Sequence, residues 1–219
     1  MSLDELRREL DRLKNPKQAA LLQRFFKTGK GEYGEGDVFL GISVPEQRKV
    51  AKRHAELSLV EIAQLLNSKL HEHRLVGLLI LTQQFEKADE GMKKKIFGFY
   101  LKNSKKINNW DLVDLSAPRI VGAFLLDKDR KILYALAKSA NLWERRISII
   151  STLAFIVKGE SKDALAIAEM HLKDRHDLIH KATGWMLREV GKRCGEEKLE
   201  EFLKKHSKQM LGDWIINCD

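Results

Sequence analysis

Apolar residues recur along this chain at intervals of three and four, the period of an α-helix, and strand-like alternation is hard to find. Leu3, Leu6, Leu10 and Leu13 give a first amphipathic helix that ends before Asn15-Pro16. From residue 58 onward the pattern predicts helices at 58–67, 72–86, 91–103, 109–125, 128–139, 142–157, 161–173, 176–193, 196–206 and 208–216. The chain is therefore predicted to be all-α.

Glycines cluster in one stretch, residues 28–41, between the second and third predicted helices. This stretch lacks the Gly-Lys-Ser/Thr ending of a phosphate-binding loop, and no strand precedes it. We therefore predict a long connecting loop. Pro16 can open the helix before the loop and Pro45 the helix after it, with Ser43 as the N-cap of the latter.

The helices after residue 57 come in pairs, and the second members of the pairs can be laid over one another. Arg74, Asp111, Arg146 and Lys181 occupy equivalent positions at spacings of 37, 35 and 35. A period of this length built from two helices is typical of an α-solenoid of HEAT or armadillo type. We predict one domain over residues 1–219, with N-terminal helices and a loop at 1–57 and repeats at 58–219, curved around a basic concave face.

Trp110 and two carboxylates stand at the start of one predicted helix. Asn108 and Asn109 are both good N-cap residues, and with Asn108 as the cap Asp111 is the third helical residue. Trp110 and Asp114 are four residues apart and share a face. Because Asp114 lies past the first turn in an apolar run, capping does not explain it. It is solvated, paired with a base, or functional.

The formal net charge of +9 and the pI of about 9.5 suggest a polyanionic partner. The predicted row of equivalent positions is mostly basic, and Arg145 and Arg188 would lie near it. Such a row suits duplex DNA, although a solvated helix face explains the same charges. Cys194 and Cys218 show no metal-ligand spacing, and no apolar run is long enough to span a membrane. These features predict a cytoplasmic protein with reduced thiols.

Three stretches in order carry a resemblance to a known family: 109–114 (Asn-Trp-Asp-Leu-Val-Asp), 142–149 (Leu-Trp-Glu-Arg-Arg-Ile-Ser-Ile) and 181–189 (Lys-Ala-Thr-Gly-Trp-Met-Leu-Arg-Glu). The Phe-Phe-Lys segment at 25–27 and Gly-Ile-Ser-Val-Pro at 41–45 add to it. The chain resembles the bacterial HEAT-like-repeat DNA glycosylases of the AlkD type over nearly its whole length.

This resemblance implies a monofunctional DNA glycosylase that removes cationic alkylated purines, of the N3-methyladenine and N7-methylguanine type, in base excision repair. The lesion site would consist of Trp110, Asp114, Arg146 and Trp185, with Arg146 less certain because Arg145 is adjacent. Further DNA contacts are predicted for Arg145, Lys181, Arg188, Arg74 and Asp111. The expected protein is a monomer of bacterial or archaeal origin that acts on duplex DNA without a metal or other cofactor.

Each of these residues has a structural alternative. Trp110 and Trp185 could be core residues, and Asp114 could form an ion pair with Arg146 or Lys181. Two functional alternatives stay open, a non-catalytic DNA-binding relative and a protein–protein scaffold. Trp143 begins its helix and is interpreted as a packing residue. The histidines do not form a His-x-x-x-His zinc pattern with a third ligand.

Overall fold

The computed structural model describes residues 2–207 of the 219, and thirteen α-helices lie within that range. The helices are α1 Leu3–Arg12, α2 Pro16–Phe25, α3 Val44–Arg53, α4 Leu59–Leu66, α5 His71–Lys87, α6 Glu90–Lys102, α7 Trp110–Ala117, α8 Lys131–Ala137, α9 Leu142–Ser151, α10 Leu153–Ile156, α11 Lys162–His171, α12 Asp177–Cys194 and α13 Glu196–His206. Ser104–Lys106 forms a 3₁₀ turn and Pro118–Gly122 a π-helical turn. The all-α prediction is confirmed.

The described part of the chain packs as two compact units that divide after residue 116. In the first unit α5 is central: α3, α4 and α6 all pack against it, and α1 packs against α3. Residues 71–82 of α5 are buried without a break, so this helix has no solvated face in that stretch. Because His71, Glu72 and Arg74 belong to it, each needs a polar partner inside the protein.

The predicted loop at 28–41 is confirmed as an irregular connection, with an isolated parallel bridge between Val38 and Leu70. The buried Glu72 carboxylate accepts hydrogen bonds from the backbone N–H groups of Leu40, Gly41 and Ile42 at 2.9, 2.8 and 3.2 Å. These bonds tie the end of the loop to α5, and they satisfy a carboxylate that would otherwise be costly to bury.

In the second unit α9, α10, α11 and α13 all pack against α12, and α8 packs against α9.

Two helices that the sequence predicted as continuous are divided in the structure. The stretch at 109–125 becomes α7 followed by the π-helical turn, because Pro118 has no N–H to donate within a helix. The stretch at 142–157 is interrupted at Thr152, between α9 and α10.

Most helix bounds lie within a few residues of those predicted from the hydrophobic period, and the successive packed helices are consistent with an α-solenoid. The helix predicted at 208–216 lies outside the described residues. The boundary between the two units follows residue 116, whereas the sequence placed a subdivision after residue 57. A single domain over the whole chain stays a prediction.

Candidate functional site

Helix α7 carries Trp110 and Asp114, and the four-residue spacing places them on one face. Both side chains are half-buried, so Trp110 is not a fully enclosed core residue. The helix begins one residue later than predicted with Asn108 as the cap. Val113 donates its N–H to the Asn109 carbonyl at 3.2 Å, and the Asn109 side chain accepts the N–H of Trp110 at 2.8 Å. Asp111 is therefore the second helical residue.

Trp110 is held by two phenylalanines from the end of α2. Its ring stacks on Phe26, with centroids 5.2 Å apart and planes 19° apart. Phe25 meets Trp110 edge-on at 6.1 Å and remains 64% exposed. One face of the indole is thus covered by protein. Sequence reasoning used this Phe-Phe pair only as part of the family pattern and did not place it beside the tryptophan.

The stack of rings continues inward from Phe26 to a histidine. Phe26 stacks on Phe39 at 5.0 Å, and Phe39 stacks on the imidazole of His71 at 4.5 Å. Both nitrogens of this buried imidazole face carboxylates. Nδ1 lies 3.3 Å from Oδ2 of Asp37, and Nε2 lies 2.8 Å from Oδ2 of Asp111. Only the protonated imidazolium can donate at both positions.

Electrostatics favour the same protonation state. Burial opposes a charge on His71, but the carboxylates of Asp111 and Asp37 outweigh it and raise the pKa of His71 to about 9. Burial by itself would raise the pKa of Asp37, yet the hydrogen bond from His71 and the charge of Arg74 hold this pKa below its usual value. Asn109 donates to the same carboxylate at 3.3 Å. Inside the first unit the positive charges of His71 and Arg74 therefore balance the negative charges of Asp37 and Asp111.

This buried network fixes the first turn of α7 through Asn109 and Asp111, on either side of Trp110. It therefore fixes the backbone from which the side chains of Trp110 and Asp114 project. The sequence alone offered His71 only among the histidines that could bind a metal, and Asp37 was not predicted as a site residue. The available signal was the run of charged residues at the start of the long apolar helix α5.

The structure revises the roles of Arg74 and Asp111. Both had been predicted to contact DNA, but they are only 3% and 8% exposed. Arg74 lies 2.6 Å from Asp37 and donates to the carbonyl of Ser68 at 2.8 Å. A phosphate could reach this guanidinium only by breaking a buried ion pair, so we assign Arg74 and Asp111 to holding the fold.

In the second unit the adjacent arginines of α9 have different surroundings. Arg145 donates to Asp174 at 2.7 Å and to the carbonyls of Ser139 and Ala140 at 3.0 and 3.1 Å. Burial raises the pKa of Asp174, but the hydrogen bond from Arg145 holds it below its usual value. Arg146 is 5% exposed and donates to the carbonyl of Leu178 in the first turn of α12. Arg145 is thus committed to an ion pair, and Arg146 is anchored against the helix that carries Trp185.

Helix α12 places Lys181, Trp185 and Arg188 on one face, at intervals of four and three residues. Lys181 is exposed and pairs with Asp177 at 3.2 Å, whereas Trp185 and Arg188 are half-buried. A Cβ added at the neighbouring Gly184 would meet no atom within 4 Å outside the adjacent residues and the backbone of its own helix, so the backbone beside Trp185 is open. The four equivalent repeat positions therefore differ: those at 74, 111 and 146 are buried, and the one at 181 is exposed.

Among residues 2–207, no group of three or more histidine, cysteine, aspartate or glutamate side chains is arranged to hold a metal ion. In the same part of the chain no helix has the length and apolar character needed to cross a membrane. Trp143 is 7% exposed, in agreement with a packing role.

The chain is similar to proteins of DNA alkylation repair. A family model described as DNA alkylation repair enzyme matches residues 6–214. A solved structure of a protein described as a predicted DNA alkylation repair enzyme from Enterococcus faecalis superposes with a TM-score of 0.67, covering 88% of this chain and 89% of that chain. At 20% identity this likeness shows a shared fold. No curated protein matches the sequence.

Proposed function

This chain belongs to the DNA alkylation repair enzyme family, and we propose that it is a monofunctional DNA glycosylase for cationic alkylated purines. Family membership supports a role in DNA alkylation repair, with DNA as the substrate. The observation that carries the finer proposal is the pairing of Trp110 and Asp114 on one face of α7, with the first turn of that helix fixed by a buried ionic network.

Alkylation at N3 of adenine or N7 of guanine places a positive charge on the base and weakens its bond to C1′. When this bond breaks, its electron pair goes to the base, which leaves neutral, and positive charge develops on the deoxyribose. The carboxylate of Asp114 would stabilise this charge and orient the attacking water. The water adds its oxygen to C1′ and releases a proton, which leaves an abasic site.

The two tryptophans would frame the lesion nucleotide. Indole faces attract cations and pack against sugar C–H groups. The Trp110 face opposite Phe26 is the one that could accept DNA, since Phe26 covers the other. Trp185, which is half-buried on α12, would also contact the lesion nucleotide, and the open backbone at Gly184 would allow close approach.

Basic residues would supply affinity for the DNA backbone. Lys181, which is exposed, and Arg188, which is half-buried, lie on the same face of α12 as Trp185. Contacts from these side chains to phosphates would be independent of sequence and sensitive to salt. Arg146 is 5% exposed and donates to the Leu178 carbonyl, so its role would be to hold the first turn of the helix that carries Trp185.

The proposal is tested by incubating the purified protein with methylated duplex DNA without added metal and measuring release of N7-methylguanine and N3-methyladenine. The wild type should release both, and Asp114→Asn, which removes charge but little shape, should lose excision while retaining DNA affinity. Asp127→Asn makes the same chemical change at an exposed acid and should excise normally.

Three other outcomes would contradict the proposal. Salt-sensitive DNA binding without release by the wild type would indicate a non-catalytic DNA-binding relative. No DNA affinity at all would indicate a protein–protein scaffold. Equal loss of binding and excision in Asp114→Asn would make Asp114 a structural acid.

A further inference from the structure

The segment that leads into α7 is rich in lysine. Between Gly91 and Trp110 there are six lysines and no aspartate or glutamate. The lysines are Lys93, Lys94, Lys95, Lys102, Lys105 and Lys106. Three of them, Lys102, Lys105 and Lys106, lie at the end of α6 and in the 3₁₀ turn that follows, and all three are exposed. This cluster is the lysine turn.

The lysine turn is held in a defined conformation. Ser104 is 4% exposed, and Ile107 is completely buried. The N–H of Lys106 donates to the carbonyl of Asn103 at 2.8 Å, and the N–H of Ile107 donates to that of Ser104 at 3.1 Å. The Asn103 side chain in turn donates to the carbonyl of Phe99 at 2.8 Å. With Ser104 and Ile107 buried on either side, Lys105 and Lys106 are directed outward from a fixed backbone.

Some exposed lysines of this protein have acidic partners. Lys49 pairs with Glu46 at 2.6 Å, and Lys204 pairs with Glu200 at 3.1 Å. Within residues 2–207, none of the three cations of the lysine turn forms an ion pair, and their own segment offers no carboxylate. A row of fixed, unpaired cations attracts an anion that can contact several of them, as a nucleic-acid backbone does.

The position of the turn fixes where such a backbone would lie. Lys106 and Lys105 precede Trp110 by four and five residues, so their Cα atoms lie at most about 14 and 18 Å from that of Trp110. Phosphates of one B-DNA strand advance about 3.4 Å along the helix axis per nucleotide. We propose that Lys102, Lys105 and Lys106 bind backbone phosphates beside the lesion, with those of Lys105 and Lys106 within about five nucleotides of it. This inference rests on the proposed function, because it assumes that the lesion nucleotide lies against Trp110.

The test compares two double variants that remove the same charge. Lys105→Ala/Lys106→Ala removes two cations of the turn, and Lys204→Ala/Lys205→Ala removes an adjacent exposed pair whose members contact Glu200 and Glu169. Affinity for duplex DNA with an abasic-site analogue is measured by fluorescence anisotropy between 50 and 200 mM salt.

Each lost phosphate contact should reduce the slope of log affinity against log salt by about 0.9. The turn variant loses two such contacts, so its slope should be smaller by about 1.8. Raising the salt from 50 to 200 mM should therefore weaken binding by the wild type roughly twelvefold more than binding by the turn variant. The control variant should follow the wild type. Single phosphates near the lesion are then replaced, one at a time, by neutral methylphosphonates. Replacing a phosphate that the turn contacts should weaken binding by the wild type but not binding by the turn variant.

The proposal fails if the turn variant keeps the wild-type salt slope, or if both variants lose slope equally, since the second result would reflect net charge. It also fails if the methylphosphonate effects that the turn variant abolishes lie more than about five nucleotides from the lesion, because that distance exceeds the span between Lys105 and Trp110. Wild-type excision with an unchanged slope would overturn this inference alone. Absence of DNA binding by the wild type would overturn the proposed function as well.

Discussion

Replacing His71 with glutamine should remove most of the loss of stability that is expected between pH 6.5 and pH 9. The imidazolium donates to Asp37 and Asp111, and its pKa is raised to about 9 from an ordinary value of 6.5. In the unfolded chain His71 releases its proton near pH 6.5, whereas in the folded protein it keeps the proton until about pH 9. Its contribution is therefore complete below pH 6.5 and is lost as the pH rises through 9.

The size of the effect follows from the difference between the two pKa values. At 1.36 kcal/mol per pH unit it corresponds to about 3 kcal/mol of unfolding free energy. The side chain is 2% exposed, so solvent screens this interaction little. His73, His171 and His176 have lowered pKa values and are already neutral above pH 6.5, so they titrate below this window.

The assay is urea unfolding of both proteins at pH 6.5, 7.5 and 9, followed by circular dichroism. The wild type should lose about 3 kcal/mol more than His71→Gln over this range. The thiol of Cys194, whose pKa burial raises, affects both proteins equally and cancels in the comparison. Parallel loss of stability in the two proteins would show that His71 is not protonated in the folded state.

His71→Gln leaves two carboxylates with one fewer cation, and breaking a buried pair costs about 3–5 kcal/mol. If this variant unfolds, His71→Gln/Asp111→Asn removes one charge of each sign and keeps the network balanced. The double variant should be more stable than His71→Gln and should show the same weak pH dependence. Failure of the second substitution to restore any stability would refute the charge-balance argument.

Two further predictions concern stability and are checked by thermal unfolding. Gly41→Ala should reduce the free energy of unfolding by roughly 2–4 kcal/mol, because φ is 82° and the new Cβ would lie 2.2 Å from a backbone carbonyl oxygen. Gly36→Ala has a similar φ of 84° but no atom within 4 Å of the new Cβ, so it should cost only about 1–2 kcal/mol. Equal costs would contradict the steric argument. Arg145→Ala should destabilise by about 2–3 kcal/mol by leaving its partly buried aspartate unpaired, and Lys181→Ala, which breaks an exposed pair, by less than about 1 kcal/mol. The reverse order would show that Arg145 is not a structural residue.

Local patterns in the sequence were sufficient to predict the helices and the shared face of Trp110 and Asp114. Both depend on the 3.6-residue period of the helix, and residues four apart meet on one face whatever surrounds them. The same geometry aligned positions 74, 111, 146 and 181. It could not show how exposed each would be, because exposure depends on which helices pack against it.

The tertiary structure decided which charged residues are buried and what they contact. His71 is 34 residues from Asp37 and 40 from Asp111 along the chain, yet both carboxylates lie within 3.3 Å of its ring. No local pattern encodes such distances. The sequence by itself therefore determined the helices and the residues that share their faces. Only the packing of distant segments determined that Arg74 and Asp111 are held inside the protein, because the ionisation and the role of a buried group depend on the charges within a few ångströms of it.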